Sequence, residues 1–91
     1  MKYSQKQIET VEKLASLYMT VSDIATVIDV YPEQLRRDIK MRSSDIGKAY
    51  ARGKVASKLK LRKQEMALAQ VGSPLAIENS RRALIDMEED E

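Results

Sequence analysis

Within the ten residues 31–40 the chain carries Tyr31, Glu33, Gln34, Arg36, Arg37 and Lys40, side chains whose chemistry suits recognition of a polyanion. An arginine can grip a phosphate or pair bidentately with guanine, a glutamate can accept from cytosine, and an aromatic at a helix start can sit where a groove floor is nearest. Gln34 is a further candidate at the edge of such a surface. Reaction chemistry has far less to work with. The sequence has no Cys and no His, which removes the thiolate nucleophile, the imidazole base, the zinc-finger pattern and any disulfide framework. We therefore expect no catalytic residues, no metal site, no cofactor and no enzymatic activity.

The net charge of +2 conceals a sharp partition. Residues 1–35 hold three Lys against five acids, residues 36–63 hold eleven Lys or Arg against two, and residues 64–91 hold two Arg against seven. The central block runs from Arg36 through Arg42, Lys48, Arg52, Lys54, Lys58 and Arg62, and it is an electrostatic footprint for nucleic acid. Read by itself, the Lys54–Lys63 part also fits a solvated helix face. Arg42, Lys58 and Arg62 join the residues above as candidate DNA contacts.

Stepping along the chain, the elements that would position these residues are all helical. Ser4 and Gln7 form a capping-box pair, and Ile8, Val11, Leu14, Ala15 and Tyr18 make an apolar stripe over a first helix reaching Met19. Ile24, Ala25 and Ile28 predict a short second helix, with Ser22 and Asp23 available to cap it. Asp29 lies where the chain must turn, Pro32 suits the first position of a third helix, and Leu35 and Ile39 bury one side of that helix. The small Ala25 permits the close crossing of two helices joined by a tight turn. Ser43, Ser44 and Asp45 mark a break, after which a helix runs to about Gln70, with Gly47 and Gly53 each costing it about 1 kcal/mol. Leu59 with Met66 and Leu61 with Leu68 give it apolar residues on two sides, which asks for two neighbours. Gly72, Ser73 and Pro74 predict a reversal into a last helix to Met87, whose stripe draws on Ala76, Ile77, Ala83 and Leu84. The expected architecture is all-α: a three-helix unit over 1–43, a helical hairpin over 44–87 that oligomerises, and a disordered acidic tail over 88–91.

The stretch from Thr20 to Lys40 resembles the helix-turn-helix DNA-binding family. Ala25, the apolar Ile24, Ile28, Val30 and Leu35, and the turn at Asp29 stand where that family has them, although the family usually has glycine at the turn. A broader resemblance, over about residues 24–84, is to the small terminase subunits of tailed phages, on Gly53, Leu61, Arg62, Gln64, Leu68, Ala69, Gly72 and Ala76. It implies double-stranded DNA as a partner, assembly into a homo-oligomer for genome packaging, a large terminase subunit as a further partner, and the cytoplasm of a bacterial host cell as the location. Two other functions fit the same residues: a dimeric helix-turn-helix transcriptional regulator, and a helical protein-interaction module without nucleic acid. The residues show no membrane-spanning run and no secretory signal.

Overall fold

Ser4 opens the first helix, α1 (Gln5–Ala15), in a computed structural model that describes residues 3–71 and 74–91, with side chains at 3–67 and 78–91. Both halves of the capping box are made: the Gln7 amide donates to Ser4 Oγ at 3.0 Å and the Ser4 amide to Gln7 Oε1 at 2.9 Å. Four further helices follow, α2 (Val21–Ile28), α3 (Pro32–Ile39), α4 (Asp45–Val71) and α5 (Pro74–Glu89). The fold is all-α, and among the described residues there is no strand. No helix is long and apolar enough to cross a membrane, among the described residues.

Helix α1 stops at Ala15, short of the expected Met19, because tertiary partners capture its end. The Met19 amide donates to the Leu14 carbonyl and the Tyr18 amide to the Ala15 carbonyl, the paired bonds of a Schellman turn, with Tyr18 at φ 64°. A bulky residue resists that left-handed conformation. Tyr18 is held there by its hydroxyl, which donates to the Ser57 carbonyl at 2.8 Å, while Ser57 Oγ donates to the Ala15 carbonyl at 2.5 Å.

The second helix is capped by Thr20, whose Oγ1 accepts from the Asp23 amide, and not by Ser22 or Asp23. It ends in the same kind of turn: Asp29 adopts φ 63°, and Val30 donates back to Ala25. Asp29 thus takes the left-handed position that glycine would hold, at the cost of a strained but tolerated backbone. Three residues separate α2 from α3, which begins at Pro32. Val21, Ile24, Ala25 and Leu35 are fully buried, and Ile28 and Ile39 nearly so.

Helix α4 is capped by Ser44, whose Oγ accepts from the Gly47 amide at 3.1 Å. It lies along α1 at a separation that only small residues permit. A Cβ on Gly53 would sit 2.4 Å from the Glu12 carbonyl oxygen and 2.6 Å from Ala15 Cβ, and one on Gly47 would sit 2.2 Å from the Met41 carbonyl oxygen. Ser57, fully buried and bonded to the Ala15 carbonyl, continues this close approach one turn beyond Gly53.

Helix α5 returns along α4 in antiparallel register, with Ser80 hydrogen-bonded to Gln64, Arg81 paired with Glu65 and Glu88 near Lys58. The expected turn at Gly72 and Ser73 lies outside the described residues, as do the expected burials of Leu68, Ala76 and Ile77. Met87 is fully buried in the same core as Val11, Ile24, Leu35, Ile46 and Tyr50. Residue 43 is therefore no packing boundary, since the start of α4 and the end of α5 are built into the core of α1–α3. The expected disordered tail is also corrected. Helix α5 runs on through Glu88 and Glu89, and Asp90 and Glu91 dock on the body of the protein because basic side chains stand within reach of them.

Candidate nucleic-acid interface

On α3 the inward positions Leu35 and Ile39 leave Glu33, Arg37 and Lys40, spaced four and three apart, on one outward face. All three are exposed, as is Arg42 in the following turn, and Tyr31 at the helix start is 77% exposed. The Arg37 side chain is 73% exposed and, among the described residues, pairs only with Asp38, at 3.6 Å. Asp38 is itself held, accepting from the Tyr3 hydroxyl at 2.7 Å, so Arg37 has little to fix it in place.

Arg36 does not share that face, which corrects the sequence expectation. Its Nε donates to the Asp90 carbonyl at 2.8 Å, and one terminal nitrogen donates to Asp90 Oδ1 at 2.9 Å and Ser22 Oγ at 3.0 Å. The Ser22 amide, in the first turn of α2, donates to Asp90 Oδ2 at 2.7 Å. A carboxylate at a helix N-terminus and beside a guanidinium is favoured twice over. Burial alone would raise the Asp90 carboxyl pKa, but the Ser22 amide and side chain and the Arg36 guanidinium outweigh it and hold the group below the ordinary carboxylate value.

Gln34 is half-buried, its Nε2 finds no hydrogen-bond partner among the described residues, and it lines a shallow depression with Asp29, Val30 and Tyr31. It stands beside the exposed face without belonging fully to it.

Beyond α3 the cations divide. Arg52 pairs with Glu12 at 2.9 Å, and Lys60 donates to the Ser16 carbonyl at 3.1 Å, where a cation suits the C-terminal end of α1. Lys40, Arg42, Lys54 and Lys58 instead surround a groove of about 310 Å³ floored by Ile39 and Ala51. Arg62, one turn beyond Lys58, does not line it. Lys54, named in the basic block but not among the individual candidate contacts, joins them here. Only its position opposite Lys40 and Arg42 distinguishes it from its basic neighbours.

Three tyrosines are held neutral. Burial, and then the hydrogen bond to Asp38, push the Tyr3 phenol up to about 12; burial and then Glu91 raise Tyr50; burial raises Tyr18. A phenol whose pKa is raised on folding stabilises the fold fully below the unfolded value of about 10 and loses that contribution as pH climbs through the folded value. The urea midpoint should therefore fall steeply from about pH 10 upward. Tyr3→Phe should flatten part of that fall, and a profile level to pH 12 would show that these phenols are not held as described.

Comparison of the chain with protein-family models, curated proteins and solved structures gives no match.

Proposed function

We propose that the protein binds double-stranded DNA by laying α3 in the major groove, and that copies of it assemble through α4 and α5, as a terminase small subunit does in genome packaging. The observation that carries the first part is the unit formed by α2, the left-handed Asp29 and α3. It buries Ala25 and Leu35 completely and leaves Tyr31, Glu33, Arg37 and Lys40 exposed together. A short helix supported in this way and edged by cations matches what groove readers present to base edges and phosphates. The test is a titration of duplex DNA across a salt series. Binding should weaken linearly in the logarithm of salt concentration as phosphate contacts release counterions. Absence of binding at low salt would overturn the reading.

The assembly reading rests on the outer side of α4. Leu61 is buried, whereas Leu59 and Met66 are 55% and 74% exposed and lie on one stripe with Arg62, beyond the groove. The outer side of α5 offers Ile85, also 55% exposed, with the acids Glu78, Asp86 and Glu89. Apolar residues framed by opposite charges on two faces of one chain suit a head-to-tail contact between copies. Leu59→Glu with Met66→Glu should reduce the mass measured by light scattering to that of a monomer, with the helical content intact. Leu61→Glu, by contrast, should unfold the chain. A wild type that is monomeric at micromolar concentration would remove the assembly reading, and a stable dimer would favour a dimeric regulator over a packaging ring.

A further inference from the structure

The groove framed by Lys40, Arg42, Lys54 and Lys58 already contains an anion supplied by the chain. One carboxylate oxygen of Glu91, Oε2, lies 2.7 Å from Lys54 Nζ and accepts from the Tyr50 hydroxyl at 2.6 Å. Its other oxygen accepts from Lys54 Nζ at 2.9 Å. Glu88 stands 3.4 Å from Lys54 and 3.8 Å from Lys58. A cation and a neutral hydroxyl converging on one oxygen make an arrangement that a phosphate oxygen satisfies equally well. The opposite wall is not neutralised: among the described residues no carboxylate lies within 4 Å of Lys40 or Arg42, so four cations face two acids. The pairs are partly solvated, with the Glu88 side chain 43% and the Glu91 side chain 26% exposed, so salt screens them. Lys54 is only 20% exposed and needs an anion beside it whichever group supplies it.

We infer that this groove is a phosphate-binding site and that Glu88 and Glu91 occupy it in competition with the phosphate. A phosphate group seated against Lys54 and Tyr50 also engages Lys40 and Arg42, which the carboxylates leave unpaired, so the incoming anion gains contacts that the departing one lacks. Where the phosphate belongs to duplex DNA, the inference deepens the DNA reading and rests on it. The C-terminal residues then lower affinity for every sequence alike and leave discrimination to α3.

The experiment compares the full wild-type chain with Glu88→Gln/Glu91→Gln and with a control of equal charge change away from the groove and from α5, Glu9→Gln/Asp23→Asn, both exposed. The probes are inorganic tripolyphosphate and a random-sequence DNA duplex. At low ionic strength the Glu88/Glu91 variant should bind both probes about five- to tenfold tighter than wild type, and the advantage should shrink as salt screens the carboxylates. In salt where the Debye length is about 10 Å the control should change less than about twofold, because neither Glu9 nor Asp23 lines the groove or pairs with its cations. In the wild type, tripolyphosphate should shift the ring resonances of Tyr50, a readout that needs no variant to fold. Equal tightening by the control, or Tyr50 signals unmoved at saturating tripolyphosphate, would overturn the inference. Tripolyphosphate binding with no duplex binding would sink the DNA reading and leave the groove. Duplex binding indifferent to Glu88→Gln/Glu91→Gln would sink the groove and leave the DNA reading.

Discussion

Gly53→Ala should destabilise the protein by about 2 kcal/mol, although it replaces the poorer helix former with the best one. In an open helix the exchange stabilises by about 1 kcal/mol, because glycine loses more backbone entropy on folding. Here the added methyl meets the Glu12 carbonyl oxygen at 2.4 Å and Ala15 Cβ at 2.6 Å. Neither is the far end of a flexible side chain, so α1 and α4 must separate. Overpacking of this kind costs about 3 kcal/mol, which exceeds the propensity gain. Separation also pulls Ser57 from the Ala15 carbonyl and Tyr18 from the Ser57 carbonyl, bonds that fix the end of α1. For a chain of this size the net loss lowers the melting temperature by about 10 °C. A Gly53→Ala protein that melts at or above the wild-type temperature would show that the two helices do not approach as closely as described.

The same glycine shows how far the sequence could be read. Signals carried by neighbours in the chain were legible: the Ser4 and Gln7 capping box, the turn at Asp29, Pro32 at a helix start and the break at Ser43–Asp45 all depend on residues a few positions apart. Gly53 was legible as a penalty to its own helix and not as a contact, because its partner in α1 lies some forty residues earlier. The end of α1 was hidden for a related reason. Tyr18 is a poor residue for a left-handed turn, and only the bond to Ser57 makes that turn hold. In the candidate site, the outward placement of Glu33, Arg37 and Lys40 followed from helical spacing once Leu35 and Ile39 were taken as inward. Which of two adjacent arginines turned away was decided by Asp90, and the docking of the acidic residues by Lys54 and Lys58, pairings that no local pattern announces. Opposite charge in the two blocks was the available signal, and it carries no register.

Arg37 and Arg36 should therefore separate cleanly when each is replaced by alanine. Arg37 is free to reach a base edge or a phosphate, with its side chain 73% exposed on the face it shares with Glu33 and Lys40. Its loss should weaken duplex binding by about 1–3 kcal/mol, with relaxed discrimination if it reads guanine. Lys40→Ala should weaken binding of all sequences alike and make the salt slope shallower by about 1, the behaviour of a single phosphate contact. Arg36→Ala acts on the fold. It strips Asp90 and Ser22 of their shared guanidinium, and since both charged side chains are more than a quarter exposed the stability lost is about 1 kcal/mol. At physiological salt the folded Arg36→Ala protein should bind duplex about as tightly as wild type. The measurement is one salt-resolved titration of the three single variants and the Arg37→Ala/Lys40→Ala double variant alongside their melting curves. A folded Arg37→Ala/Lys40→Ala protein with wild-type affinity would remove α3 from the interface, and a large affinity loss in Arg36→Ala without loss of stability would show that the arginine leaves Asp90 to meet the DNA.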